Sequence, residues 1–463
     1  MNNYKILLIS TYDLGRQPFG LASPAAWLRE AGANVRCLDL SVDLFDAGAI
    51  RQADLVAIHL PMHMATRMAV SVIERVRQIN PETHLCCFGL YAPVNAAYLR
   101  RLGVGTILGG EFETGLVSLA KRLSHPNKGQ TPQVDSQPEP LISLDRQQFL
   151  TPDRSGLPEL AKYAQLMTPQ GQQVPVGYTE ASRGCKHLCR HCPIVPVYGG
   201  RFRIVQREVV LTDIRQQVEA GARHITFGDP DFFNGPGHAL PLVTALHAEF
   251  PRLTYDATIK VEHLLKYAKK LPVLKATGCL FITTAVESFD DQILRIFDKG
   301  HTRAEFEAAL SLARQLGLLL LPTFVAFTPW TTLEGYRAFL AEVARLELVE
   351  QVAPIQYTLR LLVPSGSRLL ELPEARQFIG PFDQASLSHR WQNPEPRVDQ
   401  LQRDLELLVH HCTKQQSSRQ ETFQNIWNRA HQSLEEDVSE PVPVVQQPAN
   451  GRRVPCLTEP WYC

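Results

Sequence analysis

At 463 residues the chain is too long for one ordinary hydrophobic core, so two or three domains are expected. Its composition, 44% hydrophobic and 20% charged, is that of a globular protein. Lys plus Arg total 47, as do Asp plus Glu, so the formal net charge is zero and no whole-protein field draws in nucleic acid or an anionic membrane.

The opening "MNNYKILLISTYD" has an apolar run that breaks at Ser10, too short for the core of a signal peptide. "KILLIS" reads as a strand. "SPAAWLREAG" reads as a helix with Ser23 at the N-cap, Pro24 at the first helical position and Gly32 just beyond the end. "NVRCLDLS", "DLVAIHL", "HLCCFGL" and "GVGTILGG" follow as buried-strand candidates, separated by helical stretches such as "MATRMAVSVIERVRQIN". Residues 1–122 therefore predict a doubly wound, Rossmann-like parallel sheet, whose ligands sit at the carboxyl ends of the strands.

Residues 123–174, centred on "SHPNKGQTPQVDSQPEP", read as a linker. A second alternating series spans 175–370: "VPVGYTEASRGC", "ARHITFGDPDFF", "LTYDATIKV", "GCLFITTAVES", "LLLLPTFVAF" and "PIQYTLRLLVP". Thr302 with Glu305, and Thr331 with Glu334, fit capping boxes, and Gly317 fits a helix stop. Six strand-helix units suit a partial (β/α)6 barrel of the TIM type. Residues 371–435 lack strand runs and read as a helical extension. Residues 436–463 read as a flexible linker ending in a cysteine-bearing tail. The apolar stretch near Pro322 is too short to span a bilayer, so no membrane association and a cytoplasmic location are expected.

The stretch "SRGCKHLCRHCPIVPVYGGRFR" holds Cys185, Cys189 and Cys192 among Lys186, His187, Arg190 and His191. On a helix these thiols share one face and could be a buried stripe of small hydrophobes, but Gly184 and Pro193 leave little room for a stable helix. A structural zinc site would recruit His187 or His191 as a fourth ligand. An iron-sulfur cubane with three cysteine ligands leaves one iron open for a substrate-like ligand, and the cationic neighbours would offset its charge. The cluster follows the first strand of the second series, at the end where a (β/α) barrel keeps its active site.

CxxxCxxC after "SRG", opening a run of βα units, resembles the radical S-adenosylmethionine (SAM) superfamily. The resemblance implies that Cys185, Cys189 and Cys192 hold a 4Fe-4S cluster whose fourth iron is chelated by the amino and carboxylate groups of SAM. An electron from a donor such as flavodoxin or ferredoxin then cleaves SAM to a 5'-deoxyadenosyl radical, which takes hydrogen from an unnamed substrate. It also places His191 near the adenine and Gly228 and Asp229 of "FGDP" near the SAM amino group. Glu287 or Ser288 of "AVES" reaches the ribose or carboxylate, and "VPSGS" is the closing loop.

The front domain resembles the cobalamin-binding arrangement found in many members of that superfamily, with Gly109, Gly110 and Glu111 in its last βα unit. The Asp-x-His-x-x-Gly loop has no counterpart in "STYDLGRQPFG", so the resemblance leaves both cobalamin and a cofactor-free scaffold open. His59 and His63 flank "LPM" at the end of the third strand and read as a metal pair or, in preference, as loop residues or lining of the ligand end. Cys86 and Cys87 read as core, and Cys37, Cys279 and Cys412 carry no pattern. The ending "CLTEPWYC" resembles the tail of a radical SAM family named for Cys-Cys-Ala-Glu-Pro or Cys-selenocysteine-Ala-Glu-Pro. Cys456, Glu459 and Pro460 match, whereas Leu457 and Thr458 depart. The tail thiols Cys456 and Cys463 are either incidental to a docked apolar end or catalytic.

The expected function is a radical SAM enzyme, a cobalamin-dependent methyltransferase if cobalamin binds. Without cobalamin, sulfur transfer or rearrangement is expected. The competing class is a zinc-stabilised binding protein without turnover.

Overall fold

The computed structural model describes residues 4–125, 138–434 and 454–459. Two parallel sheets account for its α/β architecture. The first contains β1 (Lys5–Ser10), β2 (Asn34–Asp39), β3 (Leu55–His59), β4 (His84–Phe88), β5 (Thr106–Gly110) and β6 (Ile142–Ser143), ordered β2-β1-β3-β4-β5-β6. Its central strands are near-continuous apolar runs because helices cover both faces. Leu7, Ile9, Val56 and Ile58 enter one core, while Ile6, Leu8, Leu55 and Ala57 enter the other. The strand order reverses between β1 and β3, which marks the crevice where a ligand of such a sheet sits.

The second sheet contains β7 (Gln165–Met167) and β8 (Gln173–Thr179). A short antiparallel pair, β9 (Ser182–Gly184) and β10 (Phe202–Ile204), brackets the cysteine loop, and β11 (His224–Phe227), β12 (Thr254–Thr258), β13 (Cys279–Glu287) and β14 (Leu319–Phe324) follow. The order β14-β13-β12-β11-β8 is parallel throughout, a half-barrel with consecutive units adjacent. The sixth unit joins as an extended segment, not as a regular strand. Pro354 starts a 3-10 turn, the Gln356 side chain accepts from the Phe324 backbone N–H at 2.9 Å, and a single parallel bridge links Phe327 to Arg360.

Several local expectations need correction. The first helix spans Phe19–Glu30 with Pro18 at its N-cap, so Pro24 lies inside it, and Ser23 is buried and bonded to Glu113 at 2.7 Å. A tertiary hydrogen bond has claimed the hydroxyl that sequence assigned to a cap. Thr302 and Glu305 form the capping box as read, but the next helix is capped by Thr332, and Thr331 bonds Thr328 instead.

The segment expected to be a linker is structured over residues 138–174. It supplies β6 and β7, and it clamps both domains. Arg154 bonds Asp213 and the Tyr178 carbonyl in the barrel and Gln17 in the front domain, each at 2.7 Å. Residues 371–435 contain the two helices foreseen, Pro396–Lys414 and Arg419–Gln432, but also an antiparallel hairpin, β15 (Ile379–Asp383) and β16 (Ser388–Trp391). Gly380 and Pro381 hide the first of these strands from a composition-based reading.

The end of the chain contributes β17 (Cys456–Leu457), antiparallel to β7 at the edge of the half-barrel. Glu459 then accepts a 2.6 Å hydrogen bond from the Tyr12 hydroxyl in the loop after β1. The tail thus touches both domains. Cys463 lies outside the described residues.

Candidate active site

The carboxyl ends of the half-barrel strands converge on the loop that carries Cys185, Cys189 and Cys192. Cys185 and Cys189 are buried, and Cys192 is partly so. Burial, reinforced by the two neighbouring sulfurs, pushes the Cys192 thiol up to about 12. The thiols thus crowd one spot where ionisation is costly without a cation. Two buried ammonium groups supply part of that charge: Lys260 Nζ is 3.8 Å from Cys189 Sγ, and Lys299 feels both Cys189 and Cys192.

The loop is held from three sides. The Arg190 backbone N–H donates to the Phe297 carbonyl at 2.8 Å, and the Arg190 guanidinium donates to the carbonyls of Arg295 and Ile296. Ser367 of the "VPSGS" segment donates to the Arg190 carbonyl at 2.9 Å. Asn234 accepts from the Lys186 backbone N–H at 3.2 Å. A loop pinned by this many bonds presents its thiols in one arrangement.

Beside the thiols stands a second constellation. Glu287, at the end of β13, has φ +69, a left-handed backbone conformation that is strained for a residue with a Cβ. Its carboxylate lies 3.2 Å from His191 Nε2 and 3.1 Å from Lys299 Nζ. Burial alone would raise the Glu287 carboxyl, but Lys299 and His191 outweigh it and hold the group well below the usual range. Burial pulls His191 down, against the Glu287 carboxylate, which raises it. With Nε2 donating to Glu287, the buried Nδ1 of His191 is left as an acceptor without a partner. The ring packs 4.4 Å from Phe297. His301, buried with neither ring nitrogen bonded, lies within electrostatic reach of Lys299 and Lys260.

Gly228 and Asp229 follow β11. A Cβ on Gly228 would overlap the Tyr178 hydroxyl, so only glycine fits this close approach. Asp229 is buried and already engaged: it accepts from the Ala181 N–H at 3.0 Å and the Ser182 hydroxyl at 2.5 Å. Ser288 accepts from the Asp290 backbone N–H at 3.0 Å in the turn that leads into helix Asp291–Phe297. Both residues border the site, with these oxygens used by the chain itself. Cys456 is not brought to the cysteine loop. It pairs with Met167, which in turn pairs with Gln173 at the amino end of β8, whereas Cys185 follows the carboxyl end. Cys456 instead lines a cavity of about 880 Å³ with Asp256, Thr283 and Thr323.

Sequence reasoning missed Lys260, Lys299 and His301. Each comes directly after a barrel strand or its first helix, in "TIKVEH" and "DKGH", and a charged residue at such a place is the signal that identifies them.

Residues 179–328 match the family model of the Radical SAM superfamily. This stretch is a radical SAM domain. The chain is 26% identical over 337 residues to the hopanoid C-3 methylase of Methylococcus capsulatus, which covers 70% of this chain and 64% of that protein. It therefore spans under two thirds of that relative's length. Two solved structures share the fold of the front domain and half-barrel together. The methyltransferase TsrM from Kitasatospora setae, with cobalamin and a [4Fe-4S] cluster bound, superposes with a TM-score of 0.57 at 18% identity, covering 75% of this chain and 71% of that one. OxsB, a cobalamin-dependent S-adenosylmethionine radical enzyme with aqua-cobalamin bound, gives a TM-score of 0.67 at 14% identity, covering 88% of this chain and 67% of that one. Among the described residues, no helix is long and apolar enough to cross a membrane.

The radical SAM domain and the front domain meet at the carboxyl ends of both sheets. Arg183, two residues before Cys185, is buried among three carboxylates: Glu111 at 3.2 Å, Glu113 at 2.8 Å and Glu180 at 2.7 Å. Burial pushes Glu111 up to about 7. The switch-point crevice between β1 and β3 is filled by His59, whose ring packs against Gly20 so closely that a Cβ there would overlap it. The ring also lies against Phe88 and Phe112 and is pulled down to about 3 by burial. His63 is separate from it, bonded to the Ser386 carbonyl at 2.6 Å. The His59 ring is thus enclosed at the carboxyl end of β3 by Gly20, Phe88 and Phe112.

Proposed function

We propose that the chain is a radical SAM enzyme in which Cys185, Cys189 and Cys192 hold a 4Fe-4S cluster and the residues around Glu287 bind SAM. The observation that carries this reading is the gathering of two buried thiols and a partly buried third with two buried ammonium groups beside an unpartnered imidazole nitrogen. Bound there, the cluster supplies the one-electron reduction by which the sulfonium bond of SAM is cleaved. A small one-electron donor of the flavodoxin or ferredoxin type is needed as partner.

The chain's own residues do the positioning. Lys260 and Lys299 offset the negative charge of three thiolates in a site of low polarity. The Glu287 carboxylate fixes the ring of His191 and leaves Nδ1 to accept a hydrogen bond from a ligand donor such as an exocyclic amine. Gly228 allows the strand end to close against Tyr178, and Asp229 holds the turn between β8 and β9 through Ala181 and Ser182. Ser367 and Phe297 keep the loop from opening.

Methyl transfer to an unactivated carbon is the reaction class that the likeness to the hopanoid methylase supports. Sulfur transfer or rearrangement is the second reading. The test is iron and sulfide content after oxygen-free reconstitution, followed by 5'-deoxyadenosine formation from SAM with a strong reductant. About four of each per chain, with both signals falling at least about tenfold in Cys189→Ala, are expected. An intact cluster in that variant, or zinc with no SAM cleavage, overturns the reading.

A further inference from the structure

Next to the cysteine loop lies a group of side chains that the radical SAM reading does not use. His187 projects from the loop between Cys185 and Cys189. Asp231 opens the 3-10 turn after β11, and His263 stands on the helix Val261–Lys266 after β12. One ligating atom from each of the three residues lies within 4.8 Å of the others. His263 Nδ1 is 2.6 Å from Asp231 Oδ2, and His187 Nε2 is 3.7 Å from the same oxygen.

None of these three atoms makes an aligned hydrogen bond, although all are buried. Asp231 is fully buried and His263 is 4% exposed. Three buried ligating atoms crowded at one point without an aligned hydrogen bond are costly to bury, and a cation held between them would satisfy all three at once. The other carboxylate oxygen is already spent, because Asp231 Oδ1 accepts from the Phe233 N–H at 3.1 Å and so fixes the direction of Oδ2. Around the group, Glu262 Oε2 is 3.5 Å from His187 Nδ1, and Lys260 Nζ is 3.8 Å from Glu262 Oε2. Two carboxylates and one ammonium leave a local deficit of positive charge.

We propose that His187, Asp231 and His263 form a binding site for a single divalent first-row cation, zinc in the first instance. Two neutral imidazoles and one carboxylate are a donor set that suits zinc, iron(II) or cobalt(II), at bond lengths of about 2.0–2.2 Å. The site is distinct from the thiol cluster in its ligands, because the three gathered atoms come from His187, Asp231 and His263 and include no thiol. A cation there ties the cysteine loop to the second and third barrel units. Glu262 stands behind His187 as the carboxylate that orients a ligating imidazole. Asn234 extends the same tie, since one turn places Asp231 on the cation and Asn234 on the backbone of Lys186.

The experiment uses the full chain with Cys185→Ala, Cys189→Ala and Cys192→Ala, so that it reads the same whether or not the thiols hold iron. Cobalt(II) is titrated without oxygen and followed by its visible absorption. One equivalent is expected, with no near-ultraviolet thiolate band, displaced by zinc and accompanied by a rise in melting temperature. Asp231→Asn and His263→Gln should each weaken binding at least tenfold, with circular dichroism checking the fold. Absence of binding to the parent, a thiolate band, or unchanged affinity in either folded variant overturns the site. If neither variant folds, the parent decides: a zinc-induced rise in melting temperature supports the site and its absence overturns it.

Discussion

Two parallel α/β sheets face each other in this chain, and their carboxyl ends have been used in opposite ways. At the front domain the ends are filled. His59 occupies the crevice between β1 and β3, and Phe88 and Phe112 pack on it. Glu111 and Glu113 are tied to Arg183 of the opposite domain. At the half-barrel the ends gather three thiols, two ammonium groups and several imidazoles, and they leave His191 Nδ1, His187 Nε2, Asp231 Oδ2 and both nitrogens of His301 without partners. The same topology offers a ligand place at each sheet. What separates a used place from a filled one is whether buried polar atoms have already found partners within the chain.

The filled end can be opened at its strongest joint. Replacing Arg183 by Met keeps the bulk against Phe149 but strands the buried Glu111 and Glu113 and the partly buried Glu180, and the loss should be about 3–5 kcal/mol in chemical denaturation. A loss below about 1 kcal/mol would mean that the joint is solvated and the two ends are not locked together.

Asp13, in the loop after β1, is pushed up to about 7 by burial, with Glu180 and Asp39 adding to the rise against Arg16. Its folded-state value lies above the unfolded one, so the folded state binds the extra proton. Stability from this group is therefore present at pH 4 and lost as pH rises toward 7. Asp13→Asn removes that dependence, so the variant should gain on the parent by on the order of 2 kcal/mol between pH 4 and pH 8 in urea midpoints. Parallel curves would show that the loop is open to water.

The crevice itself gives the smallest effect. His59→Gly should raise cobalamin retention by about tenfold, roughly 1.4 kcal/mol, measured by equilibrium dialysis. Equal binding in the parent would show that the imidazole does not occupy the cofactor's place.

The comparison also explains which parts of the molecule could be read from residue order. The five core strands of the front domain were legible because both faces are covered, which makes each a near-continuous apolar run. The thiol loop was legible because all three ligand candidates lie within eight residues. Glu287 was legible through its place at a strand end, but not its left-handed backbone or its pairing with Lys299. The hairpin at 379–391 and the strap at 138–174 were not, since short strands rich in Gly, Pro and Gln carry no periodicity of their own. The N-cap expected at Ser23 failed for a related reason: its hydroxyl was claimed by Glu113, ninety residues away.

Residue order alone thus carried the α/β class and the position of the cysteine loop, both of which depend on local pattern or short spacing. The filling of the front crevice by His59, the Arg183 joint, the meeting of His187 with Asp231 and His263, and the placement of Cys456 at the amino end of the barrel were decided only by packing. Each joins groups from distant segments, and no local propensity records which buried polar atom will find a partner and which will be left for a ligand.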